Sequence, residues 1–91
     1  MIDFEWDPAK AEANLRKHGV TFEFATAVFL DPDRIEELDQ NYVDEERWIV
    51  TGRVEQFVLV VIFTLRDESI RIISARKGIR NEYIRYWSGQ V

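Results

Sequence analysis

The sequence predicts a small α+β domain: N-terminal helices packed on a small antiparallel sheet, with a C-terminal helix closing the chain. Three observations predict it. Asp7-Pro8 and Gly19 bracket a helix. Residues 57–65 are apolar at both odd and even positions, as expected of a central strand covered on both faces. The turns at residues 54–56 and 67–69 are too short for a crossover, so the strands that they join form an antiparallel meander.

The first helix has clear limits. Asp7 can cap its free N–H groups, and Pro8 is tolerated in the first turn, where its missing N–H does no harm. The helix is predicted to run through Lys17 or His18 and to end at Gly19, which accepts a left-handed conformation. Ala11, Leu15 and His18 recur at helical spacing, so they are expected to share one face.

The second helix is predicted to begin at Thr21, whose hydroxyl can cap it, and to end at Asp31-Pro32. Phe22, Ala25 and Phe29 form its apolar stripe. The remaining predicted elements are a short strand or extended segment at 2–6, a short strand around 35–38, strands at 47–53, 57–65 and 70–76, and a helix through about residue 87.

Strict alternation along the last strand predicts that Arg71, Ile73 and Ala75 point to one face, while Ile72 and Arg76 point to the other. On the following helix, Tyr83 and Trp87 are predicted to be core residues, and the alternative is that they stack on RNA bases. Glu82 precedes Arg85 by three residues and Tyr86 by four, so both can meet its carboxylate.

Length and composition limit the number of domains, the possible cofactors and the expected location of the protein. The 91 residues are expected to form one domain, residues 1–91. The absence of Cys excludes disulfides and thiolate chemistry, and a single His excludes a multi-histidine metal site. No cofactor is expected. The acidic N-terminus does not resemble a signal peptide, and no apolar run is long enough to span a bilayer, so we expect a soluble cytoplasmic protein.

Charge is unevenly distributed along the chain. The net charge of −5 argues against general nucleic-acid binding. Residues 1–46 hold thirteen acidic against four basic residues, whereas residues 47–91 hold four acidic against eight basic. This asymmetry is typical of a protein with one basic working face, although halves of a sequence need not correspond to halves of a surface.

The junction between the last strand and the last helix is the most basic part of the chain. Cleavage of RNA requires no cofactor because the ribose 2′-OH can act as the internal nucleophile. The guanidinium of Arg binds two phosphate oxygens at once, so Arg53, Arg71 and Arg76 are candidate phosphate ligands. Lys77 is a candidate proton donor or phosphate ligand. Arg80 adds a further cation for RNA binding.

Besides Lys77, three side chains are candidates for proton transfer. Glu82 or Tyr86 could act if neighbouring cations shift their pKa values, and His18 is the one side chain of the type that commonly serves as a general acid or base. Several of the candidate site residues have a structural alternative. Glu82 and Arg85 could be an ordinary pair on the helix surface, His18 could stabilise the helix C-terminus, and Arg71 could pair with an acid of the first helix.

The chain resembles the BrnT family of type II toxins, a branch of the RelE-like ribonuclease toxins. The resemblance covers nearly the whole chain in order. It is carried by Phe4-Glu5-Trp6-Asp7, Lys10, Asn14, Lys17-His18-Gly19-Val20, Phe22, Ala25, Phe29, Asp31-Pro32, Asp44-Glu45-Glu46-Arg47, Gly52-Arg53, Arg71-Ile72-Ile73-Ser74-Ala75-Arg76-Lys77, Glu82 and Tyr86.

The resemblance implies a RelE-like fold and metal-independent RNA cleavage that inhibits translation. It also implies a cognate BrnA-like antitoxin, two toxins assembling with two antitoxins, and contact with operator DNA only through the antitoxin. Position by position, the implied functional residues are Arg53, Arg76, Lys77, Glu82 and Tyr86, with Lys17 and His18 as lesser candidates for RNA contact.

Two functions therefore follow from the sequence. The first is a ribonuclease toxin neutralised by its antitoxin. The second is a non-catalytic or degenerate toxin-like module that binds an antitoxin and acts as a co-repressor. The antitoxin is expected to cover either the basic strand–helix junction or an exposed edge of the sheet.

Overall fold

A computed structural model describes residues 2–41 and 44–89. Strand β1 (Asp3–Glu5) leads into helix α1 (Pro8–His18), and helix α2 (Phe22–Ala25) continues as a 3-10 helix (Thr26–Leu30). Strands β2 (Ile35–Asp39), β3 (Arg47–Val54), β4 (Phe57–Arg66) and β5 (Ser69–Lys77) follow, and helix α3 (Arg80–Ser88) closes the described chain. The α+β class predicted from the sequence is confirmed.

The five strands form one mixed sheet in the order β1-β5-β4-β3-β2. Strands β3, β4 and β5 form the predicted antiparallel meander, and β2 pairs antiparallel with β3. The prediction of a wholly antiparallel sheet is wrong at one edge, where β1 runs parallel to β5 and Asp3 pairs with Ser69. Alternation over so few residues predicts a strand, but it does not identify a partner so distant in the sequence.

A β-bulge changes the predicted phase of β5. Ile62 pairs with Ser74 and Phe63 pairs with Ile72, so Ile73 has no residue opposite it. The extra residue shifts the alternation by one position. Ile72 and Ala75, predicted to point to opposite faces, therefore both enter the same buried core.

The core lies between one face of the sheet and the N-terminal helices. Phe22, Ala25 and Phe29 are buried in it, which confirms the predicted stripe of the second helix. Helix α3 packs on the opposite face, across β3 and β4. Gly52 lies on the N-terminal-helix face, where an added Cβ would come within 2.6 Å of Val28 Cγ2. The glycine therefore allows the 3-10 helix to approach β3 closely.

Helix α1 is attached to the sheet by a residue that the apolar pattern did not identify. The predicted face holds Ala11, which packs against the core, but Leu15 is exposed. The buried residue of α1 is Asn14. Its side-chain Nδ2 donates to the carbonyls of Ala75 (2.8 Å) and Val20 (3.0 Å), and its Oδ1 accepts from Ala75 N–H (3.1 Å). The Asn14 amide thus satisfies both the N–H and the C=O of Ala75, as the backbone of a neighbouring strand would.

Candidate ribonuclease site

The predicted cationic residues other than Arg71 lie on elements that meet at one end of the sheet. Strand register places Arg53 opposite Val58 and Lys77 opposite Leu59, so the end of β3, the start of β4 and the end of β5 are adjacent. The C-terminus of α1 lies at the same end, because Gly19 lines a cavity there with Lys77. We call this region the basic end. It comprises Lys17, His18, Arg53, Arg76, Lys77 and Arg80.

Arg76 and Glu82 form a bidentate ion pair. Arg76 Nη1 lies 2.7 Å from Glu82 Oε1, and Nη2 lies 2.9 Å from Oε2. This hydrogen bonding raises the pKa of Arg76, and it lowers the pKa of Glu82 despite partial burial. The planar fork of the guanidinium is thus already occupied by a carboxylate, whose geometry resembles that of two phosphate oxygens.

Glu82 also organises the start of α3. Its Oε1 accepts from the Ile79 N–H at 2.8 Å, and Ile79 has no side-chain oxygen that could cap the helix. The predicted pairing of Glu82 with Arg85 or Tyr86 differs from the structure. Arg85 Nη1 instead lies 2.8 Å from Glu37 Oε2 on β2, since the turn that leads into α3 brings the Glu82 carboxylate to Arg76.

Tyr86 is buried and bonded to Asp31, which lies beside the edge of β3. The Tyr86 hydroxyl donates to Asp31 Oδ2 at 2.5 Å, and the same oxygen accepts from Arg53 N–H at 2.7 Å. Burial and the hydrogen bond to Asp31 raise the pKa of Tyr86 to about 12. Burial alone would raise the pKa of Asp31, but the bonds from Tyr86 and from the backbone N–H groups outweigh it and lower the pKa.

The pKa shifts of Glu82 and Tyr86 decide whether either side chain can act as a general base. A Glu82 carboxylate with a lowered pKa is a weak base, and Tyr86 holds its proton at neutral pH. Neither side chain is therefore suited to accept a proton from a ribose hydroxyl. His18 is half-buried at the C-terminus of α1 and precedes Gly19, which lines the cavity with Lys77.

Arg53 and Trp87 form an exposed stack near Tyr86. The guanidinium carbon of Arg53 lies 5.6 Å from the centroid of the Trp87 ring, within the range of a cation–π interaction. Trp87 is 48% exposed, so the prediction that it is a core residue is wrong. Arg53 also lines a shallow cavity of about 390 Å³ together with Asp31 and Glu55.

Lys77 lies on the other face of the sheet from Arg76. Its Nζ is 4.8 Å from the centroid of the Phe57 ring, and it lines a cavity of about 300 Å³ with Gly19, Thr21 and Phe24. Consecutive residues of a strand point to opposite faces, which explains the separation. The two residues therefore share an end of the sheet and not one pocket.

Arg71 is remote from the basic end. It pairs with Thr64 in the sheet, and its Nη1 lies 3.5 Å from Glu5 Oε1. The interpretation that Arg71 pairs with an acid is confirmed, but the acid belongs to β1 and not to the first helix.

Asp31, which contacts Arg53 and Tyr86, is the residue of the candidate site that the sequence interpretation missed. Asp31-Pro32 signalled only the end of a helix, and nothing local predicts contacts with residues 53 and 86.

The Asp31–Tyr86 hydrogen bond predicts a specific alkaline loss of stability. Because the folded-state pKa of Tyr86 is raised to about 12 from an unfolded value near 10, its contribution is complete below about pH 10. That contribution is lost as the pH rises from about 10 to about 12. We expect the difference in free energy of unfolding between the parent and Tyr86→Phe to shrink over this interval, as measured by urea denaturation. Tyr83→Phe serves as the matched control, and a constant difference for Tyr86→Phe would contradict the assignment.

Among residues 2–41 and 44–89, no three His, Asp or Glu side chains converge as a metal site would require. Within the same residues, no helix combines the length and apolar character needed to cross a membrane.

Most of the chain matches one known protein family. A comparison with curated proteins gave no match. A family model described as "Ribonuclease toxin, BrnT, of type II toxin-antitoxin system" matches residues 6–82. The matched range contains all residues of the basic end and Glu82, and it stops before Tyr86. The chain therefore belongs to the BrnT family of ribonuclease toxins from type II toxin–antitoxin systems.

Proposed function

We propose that this chain is an endoribonuclease that cleaves RNA without a metal ion and thereby inhibits translation. The observation that carries the proposal is the placement of cations on both faces at one end of the sheet. Arg76 and Lys77 are consecutive yet diverge, and Arg53 and the end of α1 flank them. A polynucleotide is an extended anion, so it can lie across this end and contact both faces.

The reaction needs one bond made and one broken. The ribose 2′-OH attacks the adjacent phosphorus, the bond to the 5′-oxygen breaks, and a 2′,3′-cyclic phosphate and a 5′-hydroxyl result. A proton leaves the 2′-OH and another reaches the departing oxygen, so a group that titrates near neutral pH is required. We assign acceptance of the 2′-OH proton to His18, because Glu82 is a weak base and Tyr86 already holds its proton.

Charge on the phosphate is stabilised by the guanidinium and ammonium groups. Arg76 binds phosphate oxygens with the fork that Glu82 occupies in the free chain, and Lys77 contacts a neighbouring phosphate from the other face. Glu82 positions Arg76. Tyr86 and Asp31 position Arg53, which contacts RNA beside Trp87. Lys17 and Arg80 add weaker electrostatic attraction.

Further features follow from family membership as proposals. We propose a RelE-like topology, supported by N-terminal helices that lead into a sheet and by the terminal helix on its other face. We also propose a BrnA-like antitoxin that assembles as two copies with two toxins and alone contacts operator DNA. The reaction is proposed to occur in the cytoplasm.

A cleavage assay tests the proposed reaction. Purified chain incubated with bulk RNA is expected to cut it equally well with and without EDTA, and to leave 2′,3′-cyclic phosphate ends. His18→Gln is expected to lower the rate by on the order of 100-fold, since loss of a general acid or base typically costs that much. Arg66→Ala, at the opposite end of the sheet, is the control with unchanged cleavage. Cleavage abolished by EDTA, or unaffected by His18→Gln, would contradict the mechanism.

One observation favours the second candidate function, a non-catalytic module that binds an antitoxin as co-repressor. The fork of Arg76 is satisfied internally by Glu82, which leaves that guanidinium engaged before RNA arrives. Expression without an antitoxin separates the two functions. Arrested growth supports the toxin, whereas normal growth of cells that contain folded chain supports the module.

A further inference from the structure

An apolar groove lies at the end of the sheet opposite the basic end. Strand register places Trp48 opposite Phe63, and Leu65 opposite Ile70, where β3 starts, β4 ends and β5 starts. The apolar groove has a volume of about 350 Å³ and is lined by Ile2, Phe29, Trp48, Phe63, Leu65 and Ile70, together with the ion-paired residues Arg34 and Glu36.

The apolar groove is larger than an isolated exposed side chain would explain. Leu65 is 61% exposed and Ile2 is 52% exposed, although both border the core residues Phe29 and Phe63. A second hollow of about 300 Å³ continues from Ile2 and Phe29 towards Leu30, which is 79% exposed. Contiguous exposed apolar surface of this kind is characteristic of sites where another protein binds.

An acidic rim borders the apolar groove. Trp48 and Leu65 also line a hollow of about 230 Å³ whose other walls include Glu45 and Glu46. Exposed acids in the adjacent loops continue this rim; they are Asp44, Asp67 and Glu68. The basic residues nearby include Arg34, Arg47 and Arg66, and each has an acidic partner, Glu36, Glu45 and Glu5 respectively. The rim therefore presents net negative charge beside an apolar surface.

We propose that the apolar groove binds a basic amphipathic segment of a partner protein. Apolar side chains of that segment would occupy the groove, and its Lys or Arg side chains would face the acidic rim. A second copy of this chain is disfavoured because it would bring its own acidic rim against the first. The inference rests on the proposed function for the identity of the partner, which in a type II system is the antitoxin. Binding at this end of the sheet leaves the basic end uncovered.

Designed peptides test the chemistry of the surface directly. The probe is a helical peptide with leucines at i, i+3, i+4 and i+7 and lysines on the flanks, and its twin carries glutamates in place of the lysines. We expect the lysine peptide to bind about tenfold more tightly than the twin, and Leu65→Glu to weaken it about tenfold. Ile84→Glu is the matched control, because Ile84 is exposed on α3, away from the groove. Fluorescence anisotropy measures the dissociation constants, and thermal melting verifies that the variants are folded.

Three results would overturn the inference. The first is equal affinity for the two peptides, and the second is an equal loss of affinity from Leu65→Glu and Ile84→Glu. The third is a dimer of the chain that Leu65→Glu converts to a monomer in sedimentation, which would make a second copy the occupant. Because peptide binding requires no RNA cleavage, an inactive parent that still binds the lysine peptide would refute the proposed nuclease function and leave this surface standing.

Discussion

Replacing Arg76 with alanine is expected to lower RNA cleavage by on the order of 100-fold while the chain stays folded. In the free chain its guanidinium makes two hydrogen bonds to Glu82, at 2.7 and 2.9 Å. A phosphate presents the same two-oxygen geometry, so RNA can replace the carboxylate at the fork. Arg76→Lys keeps the charge but loses the fork, and an intermediate rate is expected. Single-turnover cleavage of a defined RNA measures the chemical step.

Glu82→Gln separates positioning from chemistry at the same residue pair. Glutamine can still accept from Ile79 N–H and so retains the cap of α3, but it no longer binds the guanidinium as an anion. We expect its cleavage rate to fall by less than that of Arg76→Ala, and its KM for RNA to fall because the competing carboxylate is gone. Arg66→Ala controls for loss of a basic residue elsewhere. An Arg76→Ala chain that melts normally and cuts as fast as the parent would remove Arg76 from the site.

Local signals predicted the helices and the three central strands because each signal acts within a few residues. Asp7 accepts from Ala9 N–H at 2.9 Å, Thr21 accepts from Phe24 N–H at 3.0 Å, and Gly19 adopts φ of 70° at the end of α1. The parallel pairing of β1 and the bulge at Ile73 were not predicted, because both depend on distant strands.

The sequence indicated where basic residues concentrate, but it did not indicate how their side chains are arranged. Basic residue types near the end of β5 indicated an anion site, but the divergence of Arg76 and Lys77 requires that the strand remain extended to its last residue. The role of Asp31 was hidden for a different reason. Its carboxylate meets Tyr86 fifty-five positions later, and no periodic pattern records such a contact.

Removing the side-chain amide of Asn14 is expected to lower stability more than any surface substitution in this chain. Asn14 is 7% exposed and makes three hydrogen bonds to backbone groups of Ala75 and Val20. In Asn14→Ala these buried groups lose their partners, and each unsatisfied group costs about 1–3 kcal/mol. We expect the free energy of unfolding to fall by about 3 kcal/mol and the melting temperature by about 15 °C. Urea denaturation and calorimetry measure the two quantities.

Asn81→Ala is the matched control. It is the same substitution, also in a helix, but Asn81 is exposed near the start of α3. Its effect on the free energy of unfolding is expected to stay within about 0.5 kcal/mol.

Asn14→Asp distinguishes lost hydrogen bonds from lost volume, because it keeps the size of the side chain. A carboxylate there would still accept from Ala75 N–H but would face the carbonyls of Ala75 and Val20, so Asp should destabilise at neutral pH and recover in acid, when a protonated oxygen can donate. Equal stability of the Asp variant and the parent at neutral pH would show that the amide donor does not hold α1 to the sheet.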